Sequence, residues 1–329
     1  MLFHRLRLIA AVAVLVAAAL LLRGWLVTLA DDAKGSFTPP NESARLSAIG
    51  STQSLDRTLQ RALQPAGFFA PIPPPGSSDW LANHREDGQT FEQFARGTAN
   101  RPDQTRSKLY LQPLGVFDPA HSPDLKQVQA FAEHFFQLDV QVLPQVELAG
   151  LPIKSRVRDS GLRQLLSTDV LRWCEGRLPP DAYCLLAVTM EDLYPDERWN
   201  FVFGQASLNK RVGVYSFARY VPGFYGDSAG DDDASLILRR SCKVLAHETG
   251  HMFGIKHCIY FHCLMNGSNH LGESDQHPLH LCPVCLRKLQ SSVGFEVAQR
   301  YQVLQEFSQQ AGWDDEADWL RRRLAVLKR

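Results

Sequence analysis

Apolar positions divide the chain into three unequal stretches. Residues 1–30 are dominated by one unbroken apolar run, Leu8 to Leu22, preceded by His4, Arg5 and Arg7. Residues 31–60 are polar, with Ser, Thr, Asn and Asp scattered between the few apolar positions, and with 61–105 they read as a linker and proline-rich arm. From 106 to 329 the apolar residues return with regular periods, and this stretch reads as the folded body. Within it, 108–114 predicts a strand. Leu125, Val128, Phe131, Phe135 and Phe136 recur at helical spacing, so a helix is expected over 124–137 with Pro123 at its first turn. Strands are expected over 140–143, 183–190, 200–203 and 212–217, and a helix over 162–173. The 183–190 run is nearly all apolar, as a central strand covered on both faces must be. Strands alternating with helices indicate an α/β layered domain.

Beyond this, a long helix is expected from 235 to about 253. Asp231, Asp232 and Asp233 stand at its start, where negative charge is favoured, and Gly254 stops it. Leu286, Leu289, Val293, Val297, Tyr301 and Leu304 read as one long amphipathic helix, and a last helix covers 314–327. In the polar stretch a short helix is expected over 57–63. Pro71, Pro73, Pro74 and Pro75 force an extended segment. Asp79-Trp80-Leu81 and Thr90 to Phe94 offer anchors that pack this arm against the body.

Composition narrows the picture. At 329 residues, with 45% hydrophobic and 21% charged, the chain is an ordinary globular protein of one large or two small domains. Lys plus Arg number 35 and Asp plus Glu number 35. That balance excludes a nucleic-acid partner held by bulk electrostatics. The basic flank and apolar run of residues 1–30 have the layout of an export signal or membrane anchor. The run alone falls short of the ~20 residues that a bilayer span needs. Trp25 to Ala30 extend it, Arg23 can snorkel, and Thr28-Leu29-Ala30 is a poor cleavage site. An anchor is the favoured reading, with the body on the non-cytoplasmic side.

The chemistry is concentrated in 247–285. His247 and His251 are four apart on the expected helix, so both imidazoles project from one face. Glu248 lies about 100° round the helix, within reach of a metal-held water without being a ligand. Gly254 lets the chain turn back, and His257 can close the site as a third nitrogen ligand. Three protein ligands leave a zinc position open, which marks a catalytic rather than a structural site. Seven of the eleven histidines lie between His247 and His280.

Cys258, Cys263, Cys282 and Cys285 follow in two close pairs, ordinary spacing for a structural four-thiolate zinc, with two disulfides as the alternative that export would permit. Of the seven cysteines, Cys174 and Cys184 are either a disulfide or two reduced core thiols, and Cys242 reads as helix packing.

The run His247-Glu248-x-x-His251-x-x-Gly254-x-x-His257-Cys258-x4-Cys263-x-Met265, with Cys282-x-x-Cys285 after it, resembles the signature of the archaemetzincins. Asp192-Leu-Tyr-Pro195, Trp199 to Leu208, Tyr215 to Tyr220, Asp79-Trp-Leu81, Gly88 to Phe91 and Leu111 to Gly115 are similar to the animal-type members. The resemblance covers about residues 55–310. It implies a compact metzincin-like α/β fold, with a twisted mixed sheet over a long catalytic helix, a zinc-bound loop and C-terminal helices. It implies two zinc ions, one on His247, His251 and His257 with Glu248 as general base, and one on Cys258, Cys263, Cys282 and Cys285. Met265 takes the methionine-turn position beneath the first. The implied activity is peptide-bond hydrolysis, aminopeptidase-like in vertebrate relatives, on peptides or unfolded proteins. An edge strand can bind substrate backbone, and the hairpin around 212–217 is the candidate. The hydrophobic N-terminus departs from a family generally taken to be intracellular, so a cytoplasmic location stands as the alternative. Rival readings are a zinc-stabilised peptide-binding module without turnover, and a peptidase kept latent by the proline-rich arm.

Overall fold

Eight strands and eleven helices make up the described part of the chain. A computed structural model describes residues 37–97, 100–221, 224 and 233–328. The helices are α1 (Glu42–Ile49), α2 (Arg57–Ala62), α3 (Trp80–Asn83), α4 (Phe91–Arg96), α5 (Leu125–Phe136), α6 (Ser167–Glu175), α7 (Asp233–Met252), α8 (Leu271–Gln276), α9 (Pro283–Val293), α10 (Val297–Gln310) and α11 (Asp314–Leu327). The strands are β1 (Lys108–Leu114), β2 (Val140–Val142), β3 (Ser155–Val157), β4 (Arg163–Leu166), β5 (Ala182–Thr189), β6 (Asp192–Tyr194), β7 (Gly204–Ser207) and β8 (Val212–Ser216).

Five strands form a mixed sheet in the order β2-β1-β5-β8-β7, parallel except for the antiparallel edge strand β7. Its centre is β5, buried along its whole length. Side chains alternate across a strand. Cys184, Leu186 and Val188 therefore join the core that contains α7, while Leu185 and Ala187 join a second core with α6. A smaller sheet, β3-β4-β6, flanks it. The long helix α7 buries Leu238, Cys242, Leu245 and Ala246 against the same core as Leu186, Val188 and Tyr215. This is the expected mixed sheet over a long helix.

Several expectations are corrected. The helix expected over 162–173 begins as strand β4 and turns helical only at Ser167. Pairing on both sides, antiparallel to β3 and parallel to β6, overrides the helical pattern there. The strand expected over 200–203 is a loop with one bridge, Val202 to Leu193, and the ladder strand comes just after it as β7. The long helix expected after Cys285 is two helices, α9 and α10, because Gly294 adopts φ 83° and breaks it. Strand β8 lies inside the sheet, so the edge strand of the hairpin around 212–217 is β7, and β2 forms the opposite edge of the sheet.

The arm is built into the body. Helix α1 lies in the stretch read as a linker, and Ile49, Leu59, Leu63, Phe69, Ile72, Leu81 and Phe94 all join the α7 core. Buried cations tie its helices down by accepting the role of C-terminal caps, where carbonyls lack partners. Arg287 donates to the carbonyls of Ile49 and Ser51 at the end of α1. Arg323 donates to Arg61 and Ala62 at the end of α2. Arg300 does the same for Phe135 of α5, at 2.6 Å.

The apolar segment in 1–30 and Asp231 and Asp232 lie outside the described residues. No helix among the described residues is long and apolar enough to cross a membrane.

Candidate active site

Helix α7 presents the first two histidines one turn apart, and its ending brings up the third. Gly254 has φ 80°, a left-handed conformation that a residue with Cβ adopts only at a cost. The Ile255 N–H turns back to the Gly250 carbonyl at 3.3 Å. The chain then reverses and delivers His257 to the same face. The ligand nitrogens available on His247, His251 and His257 all lie within 4.8 Å of one another.

The hydrogen bonds around these rings fix which nitrogens carry protons. His247 Nδ1 lies 2.9 Å from the Leu264 carbonyl and His251 Nδ1 lies 2.6 Å from the Ile255 carbonyl. A carbonyl only accepts, so both Nδ1 atoms are donors and both Nε2 atoms carry lone pairs. Yet the two Nε2 atoms face each other at 3.1 Å. Two acceptors at that distance need a cation between them. Ligands ~2.0–2.1 Å from a tetrahedral zinc lie ~3.3–3.4 Å apart, so the pair fits such an ion. Burial, reinforced by the charge of the neighbouring histidines, drives the His247 imidazole well below its usual range and His251 to about 4. Both rings are thus neutral at physiological pH, the form that binds metal.

The four cysteines form a second cluster beside the first. Cys258, Cys263, Cys282 and Cys285 are fully buried, with sulfurs within 4.8 Å of one another. Cys258 Sγ and Cys282 Sγ are 3.6 Å apart. Sulfurs ~2.3 Å from a tetrahedral zinc lie ~3.8 Å apart, so this set also fits. Backbone N–H groups of Met265 and Cys282 point at Cys263 Sγ, at 3.5 and 3.2 Å, as they would towards a thiolate. None of the seven cysteines forms a disulfide. Cys174 and Cys184 belong to the cores on opposite faces of the sheet, so no disulfide joins them. Burial pushes the Cys174 thiol up to about 12.

Asn266 organises the loop between the clusters. Its amide donates to the carbonyls of Cys258 and Phe261 at 2.7 and 3.0 Å, and its oxygen accepts from the Cys263 N–H at 2.7 Å. Met265, fully buried, packs against α7 where Gly250 leaves room: a Cβ there would stand 2.6 Å from the Met265 sulfur.

Glu248 lines the same cleft as the histidines, with a volume of about 660 Å³. Burial raises its carboxyl to about 7, opposed by the charge of His257. Trp80 from the arm lines the cleft, as do Trp199, Phe203 and Tyr220. The loop bearing Trp199 is held by a buried pair in which Arg219 donates twice to Asp192, both at 2.8 Å, while its guanidinium lies 3.4 Å over Phe201.

The three histidines and the four cysteines fall into two clusters, and Glu248 lines the cleft beside the histidines. Reading the sequence missed Trp80 as a cleft wall, Gly250 as the space for Met265, and Glu86. Glu86 accepts from His257 Nδ1 at 2.7 Å and from Trp80 Nε1 at 2.9 Å. Burial by itself would raise the Glu86 carboxyl, but these hydrogen bonds outweigh it and hold it below its usual range. No local pattern marks Glu86; only the fold joins it to a residue so far along the chain.

Residues 182–291 match the model of peptidase family M54. Archaemetzincin-2 of Macaca fascicularis is 39% identical, over 75% of this chain and 77% of that protein, and the Homo sapiens protein is 38% identical over the same shares. Archaemetzincin-1 of Homo sapiens is 35% identical over 70% of this chain and 52% of that protein. Among solved structures, an archaemetzincin from Methanopyrus kandleri is similar, with 29% identity, 59% of this chain and 99% of that chain covered, and a TM-score of 0.44. The chain belongs to the archaemetzincin family of zinc metallopeptidases.

Proposed function

We propose that the chain hydrolyses peptide bonds with two zinc ions bound, a catalytic one on His247, His251 and His257 and a structural one on Cys258, Cys263, Cys282 and Cys285. The observation that carries this reading is the pair of imidazole lone pairs facing each other at 3.1 Å beside a buried carboxyl. Zinc, when bound, supplies a Lewis acid that polarises a peptide carbonyl and acidifies water. The protein's own residues do the remaining work. Glu248 takes the proton from the attacking water and returns it to the leaving amine, so the carboxylate is restored at each turnover. A carboxyl raised to about 7 exchanges a proton readily near neutral pH, and a nearby dication favours its charged, base-competent form. Strand β7 ends the sheet, and Phe203 and Gly204 at its start line the cleft. Its outer edge offers backbone groups to an extended substrate by strand addition.

The test incubates a mixed peptide library with the purified protein and with Glu248→Ala, zinc content confirmed in both, and reads the products by mass spectrometry. Cleavage by the wild type alone supports the reading. Equal patterns in both would favour a binding module without turnover. The positions cut decide between removal of N-terminal residues, as the resemblance suggests, and internal cleavage. Deleting the arm does not isolate latency, because it removes core residues and Glu86 together.

For location, the basic flank and apolar run of residues 1–30 support an anchored or exported protein with the cleft on the non-cytoplasmic side. A reporter fused after Arg329 that is active only in the cytoplasm would overturn that part.

A further inference from the structure

His247 and His251 are held by a helix, but His257 is held by nothing that the motif itself contains. It lies past Gly254, in a loop, and its ring needs a partner to keep one orientation. That partner comes from the arm. The Glu86 carboxylate accepts from His257 Nδ1 at 2.7 Å, and the same oxygen accepts from Trp80 Nε1 at 2.9 Å. The Trp80 ring sets its edge against His257 at 5.1 Å and stacks on His84 at 3.8 Å.

We propose that Glu86 is a positioning residue for the metal centre, fixing His257 as an Nε2 ligand and making the arm part of the active site. The proposal rests on the assignment of zinc to the three histidines.

Three observations carry it. First, Glu86 is anchored independently of His257. The Trp80 backbone N–H donates to Glu273 at 3.0 Å, and Glu273 also accepts from the Asn269 N–H at 2.7 Å, which ties this part of the arm to α8. Second, the chain after Glu86 clamps the end of α7. Gln89 donates to the Gly254 carbonyl and accepts from the Lys256 N–H, both at 3.2 Å, and Lys288 donates to the Gln89 side-chain oxygen at 3.0 Å. Glu86 and His257 therefore sit on opposed, pinned segments. Third, the chemistry differs from that of the other two ligands. His247 and His251 donate to neutral carbonyls, whereas His257 donates to a carboxylate. A carboxylate on Nδ1–H leaves the lone pair on Nε2, makes that nitrogen more basic, and sets one negative charge beside the three imidazoles.

The test uses the full-length, zinc-loaded protein and follows zinc release to a chromogenic chelator. The four-cysteine zinc serves as an internal reference. With Glu86→Ala, release of the histidine-held zinc is expected to speed up ~10–100-fold, the usual effect of removing such a partner, while the cysteine-held zinc is unchanged. Glu86→Gln keeps an oxygen that can accept both N–H bonds, so it should fall between the two. Turnover should drop in kcat more than in KM. Wild-type release from Glu86→Ala would overturn the proposal. So would faster release at both sites with no rescue by Glu86→Gln, since Glu86 would then only support the fold. A wild-type protein that releases cysteine-held zinc alone would instead overturn the assignment of the histidine site.

Discussion

Gly250 offers a test in which the sign of the effect carries the answer. It lies inside α7, between the first and second histidines. Replacing an unobstructed helix glycine by alanine stabilises by ~0.8–1 kcal/mol. Here the added Cβ would stand 2.6 Å from the Met265 sulfur and 3.0 Å from its methyl carbon. Met265 is fully buried and cannot swing into solvent. Overpacking of this kind costs ~1–3 kcal/mol, so Gly250→Ala is expected to be neutral to destabilising by up to ~2 kcal/mol. Met265→Ala alone empties a buried site and should cost ~2–5 kcal/mol. In the double variant the new methyl enters vacated space, so the combined loss should be smaller than the sum of the two, with a coupling of ~1–3 kcal/mol. Urea unfolding at one fixed free-zinc concentration measures all four proteins. If Gly250→Ala gains the full helix-propensity stabilisation and the cycle is additive, Met265 does not pack beneath the histidines as described.

Cys285→Ser should lower the zinc content from two per chain to one by elemental analysis, with a marked fall in thermal midpoint, because the second site joins the α9 start to the 258–265 loop. Asp192→Ala removes the buried carboxylate that accepts from the Arg219 guanidinium and, at 2.6 Å, from the Gln164 amide. Breaking such a pair costs ~3–5 kcal/mol in denaturant unfolding, and a loss under 1 kcal/mol would refute the arrangement. Thiol titration of the denatured, zinc-stripped protein without reductant should find seven free thiols, in line with the separation of Cys174 and Cys184 across the sheet. Five would restore that disulfide.

The candidate site was legible because its chemistry is local. The two helix histidines, the turn at Gly254 and the paired cysteines are set by short spacings that only a few backbone paths satisfy. The central strand β5 was legible for a related reason: burial on both faces leaves an uninterrupted apolar run. What stayed hidden depends on contacts distant in sequence. Strand β4 looked helical because its neighbours β3 and β6 are short and carry no alternating pattern of their own. Helix α1 stayed hidden in the stretch read as a linker because its end is capped by Arg287, and a buried cation resembles a surface charge in a sequence. Glu86 stayed hidden because an isolated carboxylate in a polar segment has no periodic signature. The break at Gly294 stayed hidden because the apolar stripe continues on both sides of it.

The most direct test of the central claim is an anomalous difference map from crystals of the zinc-loaded protein, collected on both sides of the zinc absorption edge. The account predicts two peaks per chain, one among the Nε2 atoms of His247, His251 and His257 and one among the sulfurs of Cys258, Cys263, Cys282 and Cys285. A map with no peak at the histidines, from crystals whose cysteine cluster is filled, would contradict it.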